Sequence, residues 1–107
     1  MTRKRPFNLV YAPVVQEHLE AIERKYYPLI RRTIETQLQF EPDAEARNRK
    51  PLKRWIAAGG DWEIRFGPGN RFRVFYEVNQ ERDEVHILAI GVEVGNRLYI
   101  GTKEVQI

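Results

Sequence analysis

The chain contains no cysteine, so a disulfide framework, a thiolate zinc site and a cysteine nucleophile are all excluded. Its two histidines, His18 and His86, are too few for a histidine-built metal cluster. No glycine-rich phosphate loop, Ser-His-Asp arrangement or acidic metal cluster occurs along it, and the expectation is a protein without metal or cofactor. No apolar run approaches the roughly 20 residues of a membrane span. Arg3, Lys4 and Arg5 open the chain, but Pro6 and Asn8 leave no apolar signal region behind them. A cytoplasmic protein with no membrane contact is expected. Internal repeats and low-complexity tracts are absent too, and the aromatic residues do not form the paired pattern of an RNA-recognition motif.

What remains is ordinary in amount and informative in arrangement. At 107 residues with 42% apolar content, the chain is expected to be one domain, 1–107, with enough apolar surface for one core. The formal charge of +3 and a sequence pI of about 9.4 fit nucleic-acid binding and many other soluble proteins equally. Distribution therefore matters more than the total.

Phe7–Tyr11 reads as a short strand ended by Ala12-Pro13. Val15, Leu19, Ile22 and Tyr26 then recur at helical spacing, and Pro28 breaks that helix and opens a second one. Ile30, Ile34 and Leu38 form the stripe of the second, with Arg31, Arg32, Glu35 and Gln39 facing water until Pro42. Glu41–Arg54 lacks periodicity and is expected to be a loop or short irregular element. It carries five cations: Arg47, Arg49, Lys50, Lys53 and Arg54.

The stretch Asp61–Val78, DWEIRFGPGNRFRVFYEV, predicts two alternating strands around a Gly-Pro-Gly-Asn turn. Trp62, Ile64 and Phe66 share one side of the first, which puts Glu63 and Arg65 on the other. Phe72, Val74, Tyr76 and Val78 share one face of the second, leaving Arg71, Arg73, Phe75 and Glu77 opposite. Val85–Val92 is apolar on both faces and predicts a central, doubly covered strand, with Gly91 marking a bend at its end. Leu98–Ile100 and Lys103–Ile107 are short strand candidates. The order is β-α-α-β-β-β, an α+β two-layer domain with a helical hairpin packed on one face of an antiparallel sheet. The other face is expected to be free for binding.

These pieces resemble the RelE/ParE superfamily of type II toxin–antitoxin toxins over nearly the whole length. The matching segments are FNLVYAPVVQEHL, the basic RKPLKRW, WEIRFGPGNRFRVFYEV, and HILAIGV followed by Tyr99. The resemblance implies a RelE-like fold and a cognate antitoxin as partner, with operator DNA bound only through the antitoxin complex. It implies in one branch an mRNA endoribonuclease (mRNA interferase) that inhibits translation at the ribosome, and in the other a DNA gyrase inhibitor. A third possibility is a catalytically inactive, antitoxin-binding homologue. Arg73 matches the family arginine of the strand motif, Arg65 a basic position on the preceding strand, and Tyr99 the C-terminal aromatic position. Glu63 stands where a lysine is usual, and Val92-Glu93 replaces a basic pair.

Metal-free RNA cleavage by 2′-OH attack needs a base, donors for the developing phosphorane charge, and an acid for the leaving oxygen. Arg73 and Arg65 suit the charge. Arginine cannot readily be the base, because its pKa exceeds ~12; Glu63 and His86 are the available ones. Tyr99 is a candidate either to stack on an exposed base or to orient the phosphate. The candidate catalytic residues are thus Arg73, Arg65, Tyr99 and Glu63. Candidate nucleic-acid contacts are Arg47, Arg49, Lys50, Lys53, Arg54 and Arg71. Each has a plain alternative: a structural ion pair between Arg73 and Glu77, a surface pair between Glu63 and Arg65, a half-buried structural His86, a core-edge Tyr99 and a solvated basic loop. His18 is expected to be structural.

Overall fold

The computed structural model describes residues 5–53 and 59–105. The elements are β1 (Asn8–Tyr11), α1 (Val15–Glu20), α2 (Tyr27–Leu38), β2 (Arg49–Pro51), β3 (Trp62–Phe66), β4 (Phe72–Asn79), β5 (Glu84–Val94), β6 (Arg97–Ile100) and β7 (Lys103–Val105). Short 3-10 turns stand at Arg24–Tyr26 and Pro68–Asn70. Among the described residues, no helix is long and apolar enough to cross a membrane.

The strands form one seven-stranded sheet in the order β2-β3-β4-β5-β6-β7, with β1 added to β5. β5 organises it. Its first half pairs in parallel with β1, Asn8 opposite Glu84 through Tyr11 opposite Ile87. Its second half pairs antiparallel with β6, Gly91 opposite Ile100 through Val94 opposite Arg97. All other pairings are antiparallel. The expected α+β layering and the β3–β4 hairpin are therefore present, and β1 is the one parallel member.

Burial follows the sequence pattern more faithfully than helical continuity does. Val15, Ile22, Ile30, Ile34 and Leu38 pack against Ile64, Val74, Tyr76, Ile87 and Ile90. The first helix, however, stops at Glu20 rather than running to Tyr26. Glu23 turns extended, and the chain re-enters a 3-10 turn that brings the Tyr26 ring to 5.1 Å from Phe72, edge-on. The apolar stripe is kept while the helix carrying it is broken. Pro28 opens α2 as its fixed φ allows.

The expected irregular segment Glu41–Arg54 holds a strand, β2, on the sheet edge where Pro51 is tolerated. Gly91 marks no bend; β5 runs through it, and a side chain there would meet Leu98 and Ile100 at 3.0 and 3.2 Å. The irregularity in β5 is a bulge at Leu88, because Phe75 pairs with Ala89 while Tyr76 pairs with Ile87.

The face turned away from the helices is not free. Phe75, Ala89, Leu98 and Ile100 form a second cluster there, with Leu52 and Val105 against it. Strands β6 and β7 carry their own apolar residues onto that side, and the expectation of a wholly open face is corrected accordingly.

Gly67, before the β3–β4 turn, has φ 84° and ψ −176°, a conformation open essentially to glycine alone. A Cβ there would lie 2.5 Å from the ring of fully buried Phe72. Gly67→Ala is therefore expected to destabilise the domain by about 1–3 kcal/mol, read as a lower urea midpoint with an unchanged slope. A loss below a few tenths would show that the turn relaxes freely.

Candidate functional site

Adjacent strands bring three of the four predicted catalytic residues together. Arg65 on β3 lies directly opposite Arg73 on β4, and Glu63 precedes Arg65 on the same face. Lys50 on β2 lies opposite Glu63 and joins that face. The backbone of Arg65 is held from outside the sheet: its N–H donates to the Asn48 carbonyl at 2.8 Å, and the Asn48 amide donates to the Arg65 carbonyl at 3.1 Å. Asn48, between two cations in a segment whose sequence signal is charge alone, thus holds the Arg65 backbone in place.

The electrostatics differ from expectation. Arg73 was expected on an open surface, but its side chain is only 7% exposed. It lies between Arg65 and Gly91 on the neighbouring strands, on the face that also carries the second apolar cluster. Its partner is not Glu77 but Glu93 on β5, whose carboxylate accepts from Nη2 at 2.5 Å. Glu63 stands 4.0 Å from Nη1. The Arg73 Nε is buried without a hydrogen-bond partner. Arg65 remains 45% exposed and donates from Nε to Glu63 at 3.2 Å. The result is a carboxylate held between two guanidinium groups, with a second carboxylate closing the inner one.

Tyr99 is not in this cluster. It pairs with Val92 on β5, and Leu98 and Ile100 occupy the Arg73 side, so alternation turns Tyr99 to the helix side. There it lines a groove of about 310 Å³ with Tyr26, Arg71 and Val92. Arg71 shares that side: its guanidinium lies 5.9 Å from the Tyr26 ring, and its Nε donates to the Pro68 carbonyl at 3.3 Å. Sequence alternation had placed Arg71 beside Arg73, but it precedes β4 and escapes the strand's period.

Arg49, expected as a solvated phosphate contact, is buried. Its Nε donates to the Ala44 carbonyl at 2.6 Å and its Nη1 to the Gln37 carbonyl at 3.1 Å. It thereby caps the unpaired carbonyl end of α2. Arg47, Lys50 and Lys53 are exposed, and Arg54 lies outside the described residues. His86 pairs with Glu84 at 2.9 Å, opposite Glu77 and away from Arg73 along β5.

His18 joins α1 to β5, its Nδ1 accepting the Ile90 N–H at 3.3 Å. That bond requires an unprotonated Nδ1, and burial lowers its pKa below the usual histidine value, against an opposing pull from Glu17. Because the folded pKa is depressed, the stabilisation is complete above the unfolded value of about 6.5 and is lost as pH falls through the folded one. The melting temperature is expected to drop on acidification below that point. His18→Asn, which keeps an acceptor that does not titrate there, should flatten this part of the profile; an unchanged profile would acquit His18.

The two-layer sheet with its paired helices and arginine-bearing central strands is the RelE-like α+β fold. A chain of the RelBE2 toxin–antitoxin complex from Mycobacterium tuberculosis superposes with a TM-score of 0.69 at 20% identity, covering 87% of this chain and 98% of that one. No protein-family model and no curated protein matches the sequence.

Proposed function

We propose that the chain is the toxin component of a type II toxin–antitoxin pair, bound by a cognate antitoxin, and that it cleaves mRNA at the ribosome without a metal. Support for the toxin role comes from the likeness to the RelBE2 complex together with the sequence resemblance. The observation that carries the ribonuclease reading is Glu63, set between Arg65 and Arg73 on one face. Glu63 takes the proton of the attacking 2′-OH, exposed Arg65 meets the charge developing on phosphorus, and the 5′-oxygen leaves as its bond to phosphorus breaks, taking a proton from solvent. In the unliganded chain Arg73, enclosed, holds Glu93 and stands beside Glu63, and Lys50 adds a cation opposite Glu63. Tyr99 and Arg71 form a separate surface across the sheet.

A second reading has its own observation. Glu93 already neutralises Arg73, as suits a homologue that acts only by binding protein, either the antitoxin alone or DNA gyrase. Purified protein incubated with translating ribosomes, and in parallel with gyrase and plasmid DNA, separates these readings. In-frame cuts leaving 2′,3′-cyclic phosphate ends support cleavage. Intact mRNA with altered gyrase supercoiling would put the gyrase reading in its place, and no effect on either would leave the antitoxin-binding one.

A further inference from the structure

We propose that Glu93 is an internal competitor for the substrate phosphate: its carboxylate occupies the edge of Arg73 that a phosphodiester takes, and the site opens when Glu93 turns out to solvent. The nature of the anion rests on the ribonuclease reading above; the competition rests on geometry. Arg73 faces Arg65 on one neighbouring strand and Gly91 on the other. Gly91 offers no side chain, so the carboxylate reaching Arg73 from β5 is that of Glu93, two residues on and on the same face. Glu93 is itself held at the backbone, where its N–H donates to the Arg71 carbonyl at 2.7 Å.

A planar guanidinium presents paired donors suited to two oxygens of one anion. Glu93 fills such an edge incompletely, with one oxygen on Nη2 at 2.5 Å while the buried Nε has no acceptor. An unmet buried donor is unfavourable, and a phosphate bridging Nε and Nη2 satisfies both. Exposure says which partner moves. The Glu93 side chain is 30% exposed, against 14% for Glu63 and 7% for Arg73. Glu93 can rotate into water, where its charge is solvated, while the other two stay in place and the Arg73 edge it covered is uncovered. Its departure leaves Arg65, Arg73 and Lys50 around a single carboxylate, Glu63, a balance that attracts an anion.

The test compares the wild-type chain with Glu93→Gln, using inorganic phosphate and an uncleavable 2′-O-methyl oligoribonucleotide as probes. Glu93→Gln is expected to bind both at least about tenfold more tightly. The gain should vanish in Glu93→Gln combined with Arg73→Gln. Glu77→Gln, the same charge change at an exposed position of β4, should not produce it. If Glu93→Gln melts lower than wild type, phosphate should restore its melting temperature; failure to do so would count against the proposal. Equal binding by Glu93→Gln and Glu77→Gln, or a gain that survives loss of Arg73, would overturn it. Tighter binding through Arg73 with no cleavage of unmodified RNA would uphold the competition while removing the ribonuclease reading.

Discussion

Arg73→Ala is expected to lower stability by about 2–4 kcal/mol, a little below the loss typical when one partner of a fully buried ion pair is removed. The reason lies in what stays behind. Glu93 and Glu63 both lean on the Arg73 guanidinium, Glu63 largely enclosed and Glu93 partly open to water. Removing the cation leaves two carboxylates on one side of a strand pair, partly desolvated and repelling each other. The discount reflects the solvent that still reaches Glu93. For a domain whose whole stability is of the order of 5–15 kcal/mol, such a loss is visible in the melting temperature and in cellular abundance.

Toxicity should therefore fall for two reasons in this variant, folding and chemistry, and growth assays alone cannot separate them. Denaturant titration of Arg73→Ala and of Arg73→Ala with Glu93→Gln does. The double variant removes one of the stranded charges and is expected to recover part of the loss. If Arg73→Ala costs less than about half a kcal/mol, the magnitude of a plain surface substitution, the ion-pair cluster contributes nothing and Arg73 is effectively solvated.

Alternation within Trp62–Phe66 and Phe72–Val78 assigned faces correctly: Ile64, Val74 and Tyr76 are buried in the helix-side core, while Glu63, Arg65 and Arg73 share the other side. What alternation within one strand does not report is what covers each face. Here the cover comes from Leu98, Ile100 and Val105, which reach the Arg73 side only because β6 and β7 continue the sheet beyond β5. A signal for Tyr99 was present, since Leu98 and Ile100 flank it and must point the opposite way. Fixing which way required the register of β6 on β5.

Arg49 is a harder case. A cation in a charged run looks solvated, and its burial follows from carbonyls at the end of α2 and in the following turn, brought near only by the tertiary fold. Glu93 was visible as a departure from the expected basic pair. Its role as the partner of Arg73 depends on the pairing of β4 with β5, 20 residues apart in sequence. Charge identity was thus legible, whereas charge partnership across strands was not.

Glu63→Gln is expected to reduce RNA cleavage by about 10²–10⁴-fold, the usual contribution of a positioned general base, with little change in fold. The amide has nearly the shape of the carboxylate, and its oxygen still accepts from the Arg65 Nε now 3.2 Å away. Stability should change less than in Arg73→Ala, because Glu93 continues to neutralise the buried guanidinium. Glu63→Asp keeps the charge but withdraws it by one methylene, so an intermediate rate is expected. The measurement is single-turnover cleavage of ribosome-bound mRNA, with melting temperatures recorded on the same preparations. A cleavage defect that scales with unfolding would mark Glu63 as structural. A folded Glu63→Gln protein that cuts at the wild-type rate would remove it as the base. On this face Glu93 would then be the remaining carboxylate beside Arg73, and a folded protein carrying both Glu63→Gln and Glu93→Gln with undiminished cleavage would exclude carboxylate base catalysis at the cluster.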